Sequence, residues 1–222
     1  MQFLYHKESG SPHITIEGEE YKYLFRVRRK KVESLIETRN LQDETLYIYR
    51  VKSIDKKEAL LELVSSEVKS VGAKRALHIG WCIIDPKVLE KMLPSLNEIG
   101  VTKITFIKCA YSQANFKIKK ERLEKILINS CQQCGRSSLM QIEFAGSVAE
   151  FVANNPQSYL LDFSERALDC SADIATIVVG FEGGVSEDER KLFKSERVVG
   201  FTTPLILRSE SAAVAVGSKL LL

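Results

Sequence analysis

The sequence predicts a small β-rich domain followed by an α/β domain with a mostly parallel sheet. Residues 1–70 contain short segments in which apolar and polar residues alternate, a pattern typical of half-buried strands. From residue 76 onward, apolar runs alternate with helical patterns, as in proteins whose helices cover a parallel sheet. The length of 222 residues fits one large domain or two small ones. We therefore expect a β domain at 1–70 and an α/β domain at 71–222.

In the N-terminal part we expect a small β-barrel or sandwich, with turns at Asn40, Asp43 and Asp55. A linker is expected at 68–75. The predicted strand segments are FLYH, HITIEG, YKYLFRV, ETLYIYRVKSI and ALLELV.

In the C-terminal part, six apolar runs predict strands and five periodic patterns predict helices. Ser186 and Glu189 form an S-x-x-E capping box, and Ser209 is a good N-cap for the last helix. The strands are expected at 76–84, 103–108, 140–145, 158–163, 175–181 and 197–201, and the helices at 86–99, 119–134, 147–154, 186–194 and 209–221.

Composition excludes several classes of protein. No apolar run approaches the roughly 20 residues that span a bilayer, so a membrane protein is not expected. The N-terminus MQFLYHKESG lacks the apolar core of a signal peptide. Five cysteines spread along the chain suit a reducing compartment better than a disulfide scaffold, which predicts a cytoplasmic protein.

The excess of positive charge lies in the first third of the chain. Residues 1–75 carry 15 lysines and arginines against 12 acidic residues, and the run RVRRKK spans 26–31. Arg26, Arg28, Arg29 and Lys30 in this run are candidates for binding RNA phosphates. A solvated edge between a strand and a turn explains the same run equally well.

Two related turns follow the last two predicted strands. The first, VVGFEGGVSEDE at 178–189, places glycines between a strand and a helix start, where backbone N–H groups can face a ligand. A tight connection between strand and helix is the alternative. The second, VVGFTTPLILRSES at 198–211, carries an apolar triplet in a predicted loop, which suits a flat heterocycle such as adenine. No P-loop pattern and no G-x-G-x-x-G after a first strand are present.

These turns and three further segments resemble the motifs of one family. GFEGGVSEDE resembles the GPEGG-F-S-x-x-E motif of the RsmE family of 16S rRNA uridine-N3 methyltransferases, and LILRSESAAVAV resembles its ILR-T-E-T-A motif. Three more segments are similar to the family's in the same order, so the likeness covers nearly the whole chain. They are YLFRVRR at 23–29, LNEIGV at 96–101 and CQQCGR at 131–136. Departures from the family pattern fall at Tyr23, Tyr111, Gln132 and Phe181.

The resemblance implies a PUA-like β-barrel that holds RNA, followed by a SPOUT methyltransferase domain with a C-terminal trefoil knot. It also implies a homodimer, S-adenosylmethionine as the cofactor, and 16S rRNA or the small ribosomal subunit as the partner. Another RNA specificity, either tRNA or ribose 2′-O methylation, and a non-catalytic RNA-binding assembly factor are the alternatives.

The resemblance also assigns candidate site residues. Arg208 is the candidate that stabilises the charge on a deprotonated uracil, because a fixed guanidinium can do so. Glu210 and Glu182 are candidate general bases or orienting groups, although Glu182 could instead anchor its own turn. The candidate cofactor-binding residues are Leu161, Gly180, Glu182, Gly183, Gly200, Leu205, Ile206, Leu207, Ser209 and Ala212.

Two further groups of residues have alternative explanations. Gln133 and Arg136 match the family motif and are candidate RNA contacts, although capping a helix C-terminus explains Arg136 equally well. Cys131 and Cys134 form C-x-x-C, but their helical spacing on an apolar face favours burial over a zinc or redox site. We expect no metal site.

Overall fold

A computed structural model describes residues 1–112, 118–169 and 173–222. The chain divides into two compact units, each with its own sheet. The first unit comprises residues 1–72 and 128–139, and the second comprises residues 73–127 and 140–222. Residues 128–139 therefore join the first unit although they follow the expected boundary in sequence. None of the helices in the described ranges is long and apolar enough to cross a membrane.

The first unit is built on a five-stranded sheet with the order β1-β3-β4-β5-β2. Only β1 and β3 pair in parallel. Two register shifts between β4 and β5 bend the sheet, because a bulge increases the local twist. The strands are β1 (Leu4–Tyr5), β2 (His13–Glu17), β3 (Leu35–Arg39), β4 (Thr45–Ile54) and β5 (Glu58–Val68).

The prediction of a strand at YKYLFRV was wrong. This segment is helical, with α1 at Gly18–Tyr21 continuing into a π-helical segment at Lys22–Val27. Its buried residues are Tyr21, Leu24 and Phe25, which follow helical spacing and pack into the core of the sheet. The sequence analysis also missed β3, because two of its three buried residues, Thr38 and Arg39, are polar.

The second unit contains a six-stranded sheet whose strands all pair in parallel, as predicted. The order is β11-β9-β10-β6-β7-β8, which brings the last three strands of the chain together at one side. The strands are β6 (His78–Cys82), β7 (Lys103–Ile107), β8 (Gln141–Ala145), β9 (Tyr159–Leu161), β10 (Thr176–Val179) and β11 (Val198–Val199).

The predicted helices are confirmed with one substantial difference in length. The helix expected at 186–194 is a single turn, α5, and a 3-10 turn at Ser195–Arg197 leads into β11. The capping box of Ser186 and Glu189 is present at its start. The helices are α2 (Pro86–Ile99), α3 (Lys120–Cys134), α4 (Val148–Asn154), α5 (Glu187–Arg190) and α6 (Ser209–Leu221).

Candidate cofactor site and candidate RNA-binding surface

A cavity of about 540 Å³ lies at the carboxyl ends of β9, β10 and β11. Ligands of open parallel sheets bind at this edge, because the loops that leave adjacent strands converge there. Both glycine turns contribute to its wall, together with the residues that follow β9. The lining residues are Leu161–Glu165, Val179–Phe181, Gly183, Gly184, Gly200, Phe201, Thr203, Leu205–Leu207, Ser209 and Ala212.

The first glycine turn is both a tight connection and a wall of the cavity. The backbone N–H of Phe181 donates to the Gly184 carbonyl at 3.1 Å, and that of Gly184 donates to the Phe181 carbonyl at 2.8 Å. Gly183 has a φ of 102°, which residues other than glycine rarely adopt. A type II turn requires a positive φ at its third residue, which is the position of Gly183 in the turn from Phe181 to Gly184. A Cβ at Gly180 would lie 2.6 Å from the Gly184 carbonyl carbon, so the turn can fold back only over a glycine.

Glu189 holds the far side of this turn in place. One carboxylate oxygen accepts from the backbone N–H of Ser186 at 2.9 Å, and the other accepts from that of Ala110 at 2.8 Å. Glu189 thus ties the start of α5 to the segment after β7.

The second turn exposes the apolar triplet that the sequence analysis singled out. Leu205 is 72% exposed and Ile206 is 80% exposed, although both line the cavity. Only glycine fits at position 200, at the start of this turn, because a Cβ there would lie 2.8 Å from the Asp162 carbonyl oxygen. Exposed apolar side chains beside a cavity favour a ligand with an apolar face.

Ser209 connects the two turns, although not as an N-cap. The N-cap of α6 is Arg208, and no side chain caps this helix. The buried hydroxyl of Ser209 instead donates to the Gly180 carbonyl at 2.5 Å and accepts from Nε1 of Trp81 at 2.9 Å. The prediction that Ser209 is the N-cap was wrong, because its hydroxyl is hydrogen-bonded to Gly180 and Trp81 and not to the backbone of α6.

The three candidate catalytic residues are sequence neighbours of residues that line the cavity, but none of the three lines it. Arg208 is exposed directly before α6. Glu210 is half-buried, and its Oε2 is shielded from solvent with no hydrogen-bond partner in the described part of the chain. Glu182 is exposed at the corner of the first turn and is the only one of the ten predicted cofactor-binding residues that does not line the cavity.

Asp162 lines the cavity and was missed by the sequence analysis. Its carboxylate forms an ion pair with Arg190 and accepts from the backbone N–H of Phe163 at 2.8 Å. A carboxylate directly after a strand, at the edge where the glycine turns meet, was the signal that could have identified it.

Two buried thiols, those of Cys82 and Cys109, share a hydrophobic cluster with Phe181 of the first turn, and the sequence analysis did not single them out. A hydrogen bond with Cys82 lowers the pKa of the Cys109 thiol to about 6, with a further contribution from Ser112. The same hydrogen bond and burial raise the pKa of Cys82.

The predicted RNA-binding run is accessible. Arg26, Arg28, Arg29 and Lys30 are all exposed. The Nε of Arg28 donates to the Tyr23 hydroxyl at 2.8 Å, and its guanidinium carbon lies 5.4 Å from the centre of the Tyr23 ring.

The candidates near the end of α3 divide into exposed and buried residues. Gln133 is exposed, but Arg136 is 6% exposed, and burial lowers the pKa of its guanidinium. This burial argues against Arg136 as an RNA contact. Cys131 is buried as predicted, but the prediction of burial for Cys134, the last residue of α3, was wrong because this residue is exposed. Within the described ranges, no group of three or more His, Cys, Asp or Glu side chains could hold a metal ion.

Two ranges of the chain match known families of RNA methyltransferase domains. Residues 72–221 match the family model of an RNA methyltransferase domain, and residues 16–64 match that of an RNA methyltransferase PUA domain. The fold and the site therefore define an RNA methyltransferase of the α/β class.

Curated relatives identify the particular family. The chain is 42% identical to ribosomal RNA small subunit methyltransferase E of Helicobacter pylori over 98% of each chain, and 26% identical to that of Aquifex aeolicus over 100% of this chain and 99% of the relative. The chain belongs to the ribosomal RNA small subunit methyltransferase E family. A solved structure of the Neisseria gonorrhoeae member, bound to S-adenosyl methionine, has the same fold, with a TM-score of 0.81, 20% identity and coverage of 98% of this chain and 95% of that one.

Proposed function

We propose that the protein transfers a methyl group from S-adenosylmethionine to N3 of a uridine in the 16S rRNA of the small ribosomal subunit. The observation that carries this proposal is that both glycine turns line one cavity. The Ser209 hydroxyl joins the two turns through its hydrogen bond to the Gly180 carbonyl. The family to which the chain belongs acts on small-subunit rRNA by name, and the uridine N3 specificity comes from the resemblance of the two turn motifs.

The cavity fits the proposed cofactor in size and chemistry. Its volume of about 540 Å³ is within the range of small-molecule sites, roughly 300–1,000 Å³. Leu205, Ile206 and Leu207 offer an apolar surface for the adenine ring. The Asp162 carboxylate supplies negative charge for a cationic sulfonium.

The bound cofactor supplies an electrophilic methyl group. For N3 of uracil to accept it, the imide proton must leave and negative charge develops over N3 and the two ring carbonyl oxygens. We assign the stabilisation of that charge to the Arg208 guanidinium, because a fixed cation is most effective where charge develops. We assign proton removal or orientation to Glu210, whose shielded Oε2 has no partner among the described residues. Glu182, at the exposed corner of its turn, is the second candidate.

The acceptor base must be unpaired or turned out of its helix, because the N3 edge is occupied in a base pair. We propose that the domain at 1–70 holds the surrounding RNA through the basic run at 26–31, and that the domain at 71–222 performs the transfer. The protein then works with its rRNA in the cytoplasm.

The trefoil knot and the homodimer are part of the proposal. The likeness of the two turn motifs to those of the RsmE family is what supports a trefoil knot in the final segment. One of the small residues of α6 makes contacts within the chain, since Gly217 packs closely on Ile99 and Val101. The remaining face of the helix, with Ser211, Ala215 and Ser218, is available to a second copy.

Nucleoside mass spectrometry tests the function. Purified protein, S-adenosylmethionine carrying a labelled methyl group, and unmodified 16S rRNA, either free or in small subunits, should yield labelled 3-methyluridine. Label in tRNA or in a 2′-O-methyl nucleoside would indicate another specificity. RNA binding without label in any nucleoside would indicate an assembly factor.

A further inference from the structure

A second cavity, of about 580 Å³, lies in the first unit and is not part of the cofactor site. We call it the N-terminal groove. One side comes from the first four residues of the chain, another from β3 and β4, and the third from the π-helical segment and the basic loop that follows it. The lining residues are Met1–Leu4, Tyr23, Leu24, Arg28, Lys30, Leu35–Glu37 and Ile48.

The rim of this groove carries positive charge that the protein does not neutralise. Within the described ranges, none of the five basic residues of the run at 26–31 forms an ion pair within 4.0 Å. Two of them, Arg28 and Lys30, line the groove. Uncompensated cations around a cavity favour an anionic ligand, and phosphates of a nucleic acid are the anions that such runs bind.

The basic loop has a defined conformation. The backbone N–H of Lys30 donates to the Leu24 carbonyl at 3.0 Å, and that of Lys31 donates to the Ser34 hydroxyl at 3.0 Å. Arg29 and Glu33 adopt φ angles of 55° and 69°, which are uncommon outside glycine. Strained backbone of this kind is concentrated at functional sites.

Arg28 and Tyr23 lie against each other in the wall of the groove, and we call this pair the platform. The guanidinium lies over the Tyr23 ring and is fixed there by the hydrogen bond to the hydroxyl. Unpaired RNA bases stack on aromatic rings and on arginine planes, and this contact tolerates any base. Beside the platform, Leu35 is 51% exposed and adds apolar surface.

Glu37 is the one acidic residue that lines the groove. It projects from the same face of β3 as Leu35, since side chains two residues apart share a face. A carboxylate repels phosphate but accepts hydrogen bonds from the exocyclic amino group of a base. The phosphates should therefore lie on the rim, beside Lys30, and the base inside the groove.

From this arrangement we infer that the N-terminal groove binds one unpaired nucleotide of the RNA. Its base stacks on Arg28, and its exocyclic amino group donates a hydrogen bond to the Glu37 carboxylate. The nucleotide is an adenosine, cytidine or guanosine and is distinct from the uridine that accepts the methyl group. This inference rests on the proposed function to the extent that it takes RNA as the substrate.

Fluorescence anisotropy with labelled nine-nucleotide RNAs tests the groove. The probes are a run of nine uridines and three RNAs in which the central uridine is replaced by A, C or G. Wild-type protein should bind at least one substituted RNA about tenfold more tightly than the uridine run, and Glu37→Ala, which removes the acceptor, should remove most of that preference. Arg28→Ala should weaken binding of the preferred RNA about tenfold.

Lys57→Ala is the matched control, because Lys57 is an exposed cation of the same unit that does not line the groove. It should change affinity less than about twofold. The inference is overturned if wild-type protein binds none of the probes, if it binds all four equally, or if Arg28→Ala and Lys57→Ala weaken binding equally.

Methyl transfer to 16S rRNA, measured with the same wild-type preparation, separates this inference from the proposed function. Normal transfer together with probe binding that does not depend on Arg28 or Glu37 overturns the groove alone. Groove-dependent probe binding without methyl transfer to any RNA overturns the methyltransferase function alone.

Discussion

The hydroxyl of Ser209 donates a hydrogen bond to the carbonyl of Gly180 at 2.5 Å and so joins the two turns that wall the cofactor cavity. The same oxygen accepts from Nε1 of Trp81, whose side chain is fully buried. One hydroxyl therefore serves both the buried Trp81 donor and the Gly180 carbonyl. Its loss leaves both unsatisfied, which costs more than the bond itself contributes.

Replacing Ser209 with valine or with threonine tests this connection, since the two side chains have the same shape and differ in the hydroxyl. Ser209→Val should lower the free energy of unfolding by roughly 1–3 kcal/mol per unsatisfied group and weaken S-adenosylmethionine binding about tenfold. Ser209→Thr should retain most of both. Urea unfolding and isothermal titration calorimetry measure the two effects, and equal behaviour of the two variants would contradict the role of the hydroxyl.

Arg208 should act in catalysis rather than in cofactor binding. It is exposed and does not line the cavity, although it immediately precedes Ser209. We expect Arg208→Ala to lower the rate of methyl transfer at least about 100-fold, because the cation assigned to the charge that develops on the base is lost. The dissociation constant for S-adenosylmethionine should stay within about threefold.

Lys219→Ala is the control for Arg208, because it removes an exposed cation from α6, the helix that Arg208 precedes. Single-turnover measurements with labelled methyl donor should show wild-type rates for this variant. A near-normal rate for Arg208→Ala would exclude the assigned role.

The sequence predicted the second unit better than the first. The predicted bounds of α2 and α6 match the structure, and in α2 a proline marks the first turn and Gly100 the end. The segment at 21–27 is short, and apolar residues on one face of a short helix resemble a strand pattern. β3 was missed because its buried polar residues have partners from distant parts of the chain, such as the Lys69 carbonyl bonded to Arg39 and the Ser9 hydroxyl bonded to Thr38.

The cavity itself was predicted from the two turn motifs, but its details required coordinates. Nine of the ten proposed cofactor-binding residues line it, whereas Glu182, exposed at the corner of the first turn, does not. Asp162 was missed because its importance comes from the parallel pairing of β9 with β10 and β11, which places it beside both turns. Pairing between separated strands cannot be read from local pattern.

Asp162 should favour the positively charged methyl donor over the neutral product S-adenosylhomocysteine. Its carboxylate lines the cavity, and Arg190 compensates only part of its charge because that pair is solvent-exposed on one side. Asp162→Asn should weaken binding of S-adenosylmethionine roughly threefold to tenfold more than binding of the product. Titration calorimetry with both ligands gives the ratio.

The control for Asp162 is Asp188→Asn, which removes an exposed carboxylate of α5 that pairs with Lys191 away from the cavity. Its ratio of affinities for the two ligands should equal that of the wild type. If Asp162→Asn weakens both ligands equally, the residue acts by shaping the loop and not by charge.

His78 should make the second unit less stable in mild acid. Burial lowers the pKa of its imidazole from 6.5 to about 4, with a further contribution from Lys103, while Glu143 acts weakly in the opposite direction. The neutral ring is bonded through Nε2 to the Thr105 hydroxyl at 2.8 Å. Since the folded protein binds this proton less readily than the unfolded chain, the contribution is complete above pH 6.5 and is lost as the pH falls toward 4.

Between pH 7 and pH 5, this one group should lower the free energy of unfolding by roughly 2 kcal/mol. His78→Gln keeps a side chain that can bond Thr105 but does not titrate, so its loss of stability over the same interval should be smaller by that amount. Urea unfolding of both proteins at the two pH values isolates the difference, because the carboxylates that also titrate there are common to both. Parallel pH dependence of the two proteins would mean that the ring is protonated in the folded state at a near-ordinary pKa.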